Sequence, residues 1–396
     1  MHFSSRKAGE HSNRISGNLF AHVPILQKIM LYAIDSHSTE NFRFRKVKGD
    51  FKQLEYREYH TYFDADGKEL DGLYAKRGWK NTGQLPRTGF APFYSKKEAA
   101  RQRKLIGAAI AGSEPGERFG IEAIDCIMSV KNAKRLVGLK KWHGVMLKVQ
   151  LTYNHQNQLA TGCRVWDADK EQYSSDGLSD LGKEVAKTLM RGGIIVDVSH
   201  LNRQSTLDVC EIGRELKVPV IASHSNPLAV FAGKRDIVAL LAKDRIAARC
   251  IDDEEIKAIL STGGYVGITS HPYFMSNEGK EWLDALNGSD LEKQMTKREN
   301  AWLKKEAMTL LVSHISHVRN IAEQEGLGSR ESVAFSSDVD HINANGPLYV
   351  PMGYAQKSYR NIFSDLAYAL RQKGWKKNDI DALFHGNVER VFAQPG

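Results

Sequence analysis

One repeated pattern constrains this chain more than any other: short apolar runs, most of them ending on a polar residue, alternate with longer stretches of helical periodicity. Eight runs have this character: "IMLYAIDSH" (29–37), "FAPFYS" (90–95), "RFGIEAID" (118–125), "VMLKVQLTYN" (145–154), "GIIVDVSH" (193–200), "VPVIASHS" (218–225), "YVGITS" (265–270) and "SVAFSSDVD" (332–340). Runs of this length rich in Val, Ile and Leu read as strands buried on both faces, the pattern of parallel sheets with helical crossovers. Segments such as "SDLGKEVAKTLMRG", "RQSTLDVCEIGRELK" and "DDEEIKAILSTG" read as those helices, several of them ending near glycine. Eight strand and helix units predict an α/β fold, a (β/α)8 TIM barrel, with an open doubly wound sheet as the alternative. The polar run ends favour the barrel. Asp35 and His37, Glu122, Tyr153, His200, His224 and Asp338 all stand there, and a barrel gathers the C-terminal ends of its strands at one mouth.

A chain of 396 residues, 41% hydrophobic, is long enough to bury one such core. The organisation expected is an N-terminal extension (1–28) followed by a single barrel domain (29–396). An insertion at about 38–89 breaks the rhythm: it alternates polar and apolar residues, turns at "DADG", and reads as a hairpin-like excursion after the first strand, over the mouth.

The formal charge of +9 is spread along the chain without a dense basic block, which argues against nucleic-acid binding. The stretch "LFAHVPILQKIMLYAI" is too interrupted for an export signal or a membrane span, so a cytoplasmic protein without a membrane partner is expected. Four scattered cysteines, Cys126, Cys163, Cys210 and Cys250, fit reduced, buried thiols better than a disulfide framework or a thiolate metal site.

Imidazoles and carboxylates without thiolates form a donor set that zinc accepts, and a carboxylate such as Glu122 can bridge two metals. Such a site polarises a carbonyl and acidifies a water, which points to hydrolysis. A lone histidine at a strand end is ordinarily a hydrogen-bonded structural residue; the joint placement of imidazoles and carboxylates at five run ends carries the inference.

The strings "GGIIVDVSHLNRQSTLDV", "PVIASHSN", "DDEEIKAILSTGGYVGI", "HPYFM", "FSSDVD" and "HGNVERVF" follow one another in the order of the "DLSH", "SHSN", "NFYPxFL", "GSDFDG" and "GNxxRVF" signatures of the membrane (renal) dipeptidases. From about residue 29 to 392 the sequence resembles this family, the M19 metallopeptidases of the amidohydrolase-like barrels. The resemblance implies a metallo-dipeptidase that binds one or two Zn2+ and hydrolyses dipeptides or dipeptide-like small molecules, with homodimerisation left open. It implies His200 and His224 as ligands of one zinc, His37 as ligand of the other, and Glu122 as the bridging carboxylate. Asp338 would stand beside the metals and carry the proton from water to leaving amine.

The departures from the family are equally specific. Its opening H-x-D places a second ligand where this chain has Thr39, a poor zinc ligand, with Glu40 or Asp35 as substitutes. Its "LTH" is "LTY" here, so Tyr153 takes the place of the histidine that stabilises the tetrahedral intermediate, and His155 follows two residues later. His271 stands where the family has a tyrosine for the substrate's carboxylate. For the arginine that binds that carboxylate, counting forward gives Arg235 and counting back gives Arg249; Arg235 is preferred. These changes keep an alternative open, a divergent member with an impaired second metal site that acts as a binding protein or on another small amide or lactam.

Overall fold

The computed structural model describes residues 56–60, 96–111, 115–116, 118–167, 172–241, 244–276, 297–336 and 361–393. Strands β1 (Tyr56–His60), β2 (Arg118–Glu122), β3 (Met146–Gln150) and β6 (Ile195–Asp197) form one parallel sheet in that order. Between β3 and β6 in sequence, β4 (Trp166–Asp167) and β5 (Gln172–Tyr173) make a small antiparallel ladder. Strand β7 (Val266–Thr269) pairs parallel with β8 (Val333–Ser336). Single parallel bridges, Asp197 to Ile221 and Ala222 to Val266, join the two sheets through the run expected as a strand at 218–225. The wall therefore follows chain order, as parallel strands with helical crossovers do, but among the described residues it does not close into a complete barrel.

The expected strands at 29–37 and 90–95 lie outside the described residues. The first described strand is β1, which falls inside the stretch expected to form a hairpin. It pairs parallel with β2, from Tyr56 opposite Arg118 to His60 opposite Glu122. The alternation in "YREYH" signals a strand, but the pleat is the same whichever way the neighbour runs, so the pattern carries no direction.

Side chains alternate across each strand. One face, with Leu147, Val149, Val196, Val266, Ile268 and Phe335, belongs to the main hydrophobic core. That core is shared with helices α1 (Lys96–Ala111), α2 (Val130–His143), α3 (Asp180–Arg191), α4 (Arg203–Leu216), α5 (Asp253–Ser261), α6 (Lys297–Gln324) and α7 (Asn361–Gln372). The opposite face carries Met146, Ile195, Ile221, Tyr265 and Ala334, packed against Val388, Val391 and Phe392 of the last helix, Asn387–Phe392. Two residues further along β3 and β6, that face turns polar with Lys148, Gln150 and Asp197, all buried. That face is thus layered along the strands, apolar at their starts and polar toward their C-terminal ends.

Helix starts are fixed by side-chain caps. Ser129, Ser179 and Asn202 accept from Asn132, Gly182 and Ser205 backbone N–H groups, and Asp252 with Glu255 completes a reciprocal capping box. The Asn202 cap follows His200 by two residues, so the start of α4 pins the turn that carries His200. At Gly162 an added Cβ would overlap the backbone of Asn154 and His155, which lets the loop before β4 close against the end of β3. All four cysteines are buried and unpaired, and burial pushes the Cys126 thiol up to about 12. No described helix is long and apolar enough to cross a membrane.

Candidate metal centre

Glu122 is the last residue of β2, His200 follows β6, and His224 lies on the bridging run between β6 and β7. All three are buried. The chain turns sharply where these strands end: Ala123, Asn154 and His200 hold φ of 63°, 60° and 76°. Non-glycine residues adopt this left-handed region at a cost of roughly 1 to 3 kcal/mol, and such strain concentrates at functional sites.

The three side chains converge. His200 Nε2 is 2.8 Å from Glu122 Oε1, His224 Nε2 is 3.8 Å from the same oxygen, and the two Nε2 atoms are 2.8 Å apart. Among the described residues this is the one group of three or more imidazole, thiol or carboxylate side chains that could hold a metal ion.

Second partners orient both rings. Asn154 Oδ1, which can only accept, accepts from His200 Nδ1–H at 2.8 Å and from the Cys163 thiol at 3.1 Å. Ser223 Oγ lies 2.5 Å from Asp197 Oδ2 and 2.8 Å from His224 Nδ1. A carboxylate accepts, so the serine's single proton goes to Asp197, and the hydroxyl oxygen accepts from His224 Nδ1. Both imidazoles therefore carry their proton on Nδ1 and turn a basic Nε2 toward Glu122. This is the tautomer a metal-ligating histidine needs.

Asp197 is the hub of this support. Its Oδ2 also accepts from Lys148 Nζ and Gln150 Nε2, both at 3.0 Å, and its Oδ1 accepts from the backbone N–H of Ser199 and Ser223. Burial alone would raise its pKa; the Lys148 charge and the Ser223 bonds outweigh that and hold the carboxyl at about 2. Loss of one partner from a buried ion pair costs about 3 to 5 kcal/mol, so the network needs every donor it has.

The donor chemistry fits a borderline cation such as zinc. Ligand atoms around a tetrahedral zinc stand about 3.3 Å apart, given metal–ligand bonds near 2 Å. The separations of 2.8, 2.8 and 3.8 Å straddle that value.

The other expected site residues differ in their surroundings. Tyr153, 37% exposed, lays its ring 4.2 Å from that of His200. His155 approaches Asp125 Oδ2 at 3.3 Å and the carbonyl of Tyr153 at 2.5 Å. Its burial disfavours the charge, but Asp125 and that carbonyl together raise its pKa above the ordinary value. His271 is buried, accepts from Tyr273 N–H through Nδ1, and is driven by burial, then by the Arg249 charge, down to about 3. A neutral His271 offers hydrogen bonds but no positive charge to a substrate carboxylate. Of the two arginines, Arg235 is exposed, whereas Arg249 is buried with Nη2 3.4 Å from the His224 carbonyl and its guanidinium over the Phe274 ring. His37, Thr39 and Asp338, with Asp35 and Glu40, lie outside the described residues.

Sequence reasoning passed over Asn154, Ser223, Asp197 and Lys148. Their signal was present. Lys and Gln interrupt "MLKVQL" at alternate positions and Asp interrupts "IIVDVSH", which places them on one face of otherwise apolar strands. Asn226, in the same "SHSN", stitches the far wall: its amide donates to the carbonyls of Thr269 and Phe274 and accepts from Thr269 N–H.

A buried carboxylate and two oriented imidazoles at the C-terminal ends of parallel strands define an α/β protein with a group that could hold a metal ion. The chain belongs to the membrane dipeptidase family, peptidase family M19, whose profile matches residues 116–395. It is a family of metallopeptidases, as the motifs implied. Similar solved structures include an amidohydrolase from Pseudomonas aeruginosa, 20% identical, with a TM-score of 0.46 over 75% of this chain and 82% of that one. Another is a metallo peptidase from Rhodobacter sphaeroides liganded with a phosphinate mimic of the dipeptide L-Ala-D-Ala, at 17% identity and a TM-score of 0.48, covering 74% of this chain and 66% of that one. The probable dipeptidase PvdM from Pseudomonas aeruginosa matches at 19% identity and a TM-score of 0.47, covering 75% of this chain and 78% of that one.

Proposed function

We propose that this protein is a zinc-dependent hydrolase of small amides whose substrates are dipeptides or dipeptide-like molecules. The observation that carries the reading is the Glu122, His200 and His224 cluster with both Nδ1 protons already committed to Asn154 and Ser223. Glu122, His200 and His224 would hold the zinc, which would supply a Lewis acid for the amide carbonyl and an acidified water, the two requirements of amide hydrolysis near neutral pH.

The chain's own residues do the rest. Asn154 and the Ser223–Asp197 pair keep the ligand rings in place. Tyr153, half-exposed against His200, presents a phenolic O–H to the oxygen that gains charge as the amide carbonyl is attacked. Arg249 rather than Arg235 receives the substrate's terminal carboxylate, because it is buried beside His224 and carries a fixed positive charge. Asp338, two residues beyond the end of β8, moves the proton to the leaving amine in this scheme.

Metal analysis of protein purified without chelator, followed by dipeptide turnover, tests the reading. One or more tightly held zinc ions per chain, with activity lost to chelator and restored by zinc, is the expected result. Retained metal without turnover of any dipeptide would replace the reading with that of a metal-holding binding protein.

A further inference from the structure

Two arginines flank the cluster, and a dipeptide's single terminal carboxylate requires one of them. Arg249 is the buried one already described, beside the His224 carbonyl. Arg164 approaches from the loop before β4. Its backbone N–H donates to the Asn154 carbonyl at 3.0 Å, and the preceding Cys163 N–H donates to the His200 carbonyl at 2.9 Å. The segment is thus fastened to the metal-site histidine and to the asparagine that orients it.

The Arg164 guanidinium is half-buried, and its Nε is buried without a hydrogen-bond partner. Its electrostatic neighbours are Cys163, Arg249, Tyr153 and Arg245. Among the described residues no carboxylate lies within ion-pair distance of Arg164 or of Arg249. Burial and then the repulsion from Arg249 both act against the Arg164 charge, although arginine stays protonated in proteins. An unpaired buried donor on one of two mutually repelling cations is costly until an anion meets it.

We propose that the pocket is built for a substrate with two carboxylates, a dipeptide whose C-terminal residue is aspartate or glutamate, with Arg249 on one carboxylate and Arg164 on the other. The inference rests on the dipeptidase reading and names its substrate class. Arg164 is then a specificity-determining residue, and a neutral side chain in the same place leaves its buried N–H unpaired.

The test compares kcat/KM for Ala-Glu with that for Ala-Gln, and Ala-Asp with Ala-Asn, on the zinc-loaded enzyme. The acidic member of each pair should be preferred at least about tenfold, the size expected when a buried donor loses its partner. In Arg164→Gln the ratio should fall to about one, and Arg164→Lys, which keeps the charge but not the fork, should lie between. No acidic preference in the wild type, or one that survives Arg164→Gln, overturns the proposal. Calorimetric titration with glutarate and with butyrate separates this from a failure of the dipeptidase reading. Glutarate should bind more tightly than butyrate, and Arg164→Gln should abolish the difference. If that holds while no dipeptide is turned over, the dianion pocket stands and the dipeptidase reading falls. Equal binding of the two acids sinks the pocket whatever the turnover.

Discussion

The Nε2 atoms of His200 and His224 lie 2.8 Å apart, and each ring donates its Nδ1–H to a neighbour. Two basic nitrogens at this distance, with Glu122 Oε1 2.8 Å from His200 Nε2, form a ligand set that fits a cation. His200→Ala and His224→Ala should therefore lose tightly bound zinc and dipeptide turnover, yet keep a cooperative thermal transition, because each removes a ligand and leaves the surrounding wall in place. Atomic absorption on the purified variants reads the outcome. Wild-type metal content in either one would reject it as a ligand.

Ser223→Ala removes only the hydroxyl that links Asp197 to His224, and Asn154→Ala only the acceptor for His200. Metal affinity should fall about 10- to 100-fold in each, the usual effect of losing a ligand's supporting hydrogen bond. Ser223→Thr, which keeps the hydroxyl, should restore affinity. Competition with a zinc chelator measures all three, and unchanged affinity in Ser223→Ala would remove the serine from the metal site's support.

Glu255 gives stability a pH dependence of its own. Burial, helped by the Asp252 charge, raises its pKa from 4.5 to about 8, while its Oε2 accepts from Asp252 N–H in the capping box of α5. Between those values the unfolded chain has lost a proton that the native state keeps, so stability falls as pH rises from about 5 to 8 and then levels off. Glu255→Gln keeps an acceptor oxygen without the titration. It should melt at least about 2 °C higher than wild type near pH 8.5 and differ little near pH 5, given a few degrees per kcal/mol for a chain of this size. A difference in melting temperature that is the same at both pH values would refute the assignment.

Thr39 stands where the family resemblance implies a metal-binding carboxylate. Thr39→Asp should raise affinity for a second zinc, because a hydroxyl is a poor ligand and a carboxylate a good one. Metal stoichiometry after dialysis reads this directly. Wild-type protein that already holds two zinc ions with equal tenacity would show that Thr39 costs nothing.

The order of the parallel strands was legible because "GIIVDVSH", "YVGITS" and "SVAFSSDVD" are too short and too β-branched for helices, and the stretches between them carry helical periodicity and caps. The convergence of the Glu122, His200 and His224 group was legible for a related reason. Glu122, His200 and His224 each end an apolar run, and parallel strands bring such ends to one place. The direction of β1 was not legible, since an alternating strand looks the same beside a parallel or an antiparallel neighbour.

What the sequence alone determined is therefore what lies along the chain: strand, helix, cap, and the residue types that finish each strand. Only the tertiary structure decided which of those residues meet. Counting along the sequence favours Arg235 over Arg249, but Arg235 is exposed whereas Arg249 is buried beside the His224 carbonyl. Ser223 is an ordinary serine until its hydroxyl donates to Asp197, 26 residues earlier, and leaves its oxygen to accept from His224. Arg164 is an ordinary loop arginine until the end of β3 and the turn after β6 hold its backbone beside them. Hydrogen bonds and charges act over a few ångströms of space, and a sequence gives the groups but not those distances.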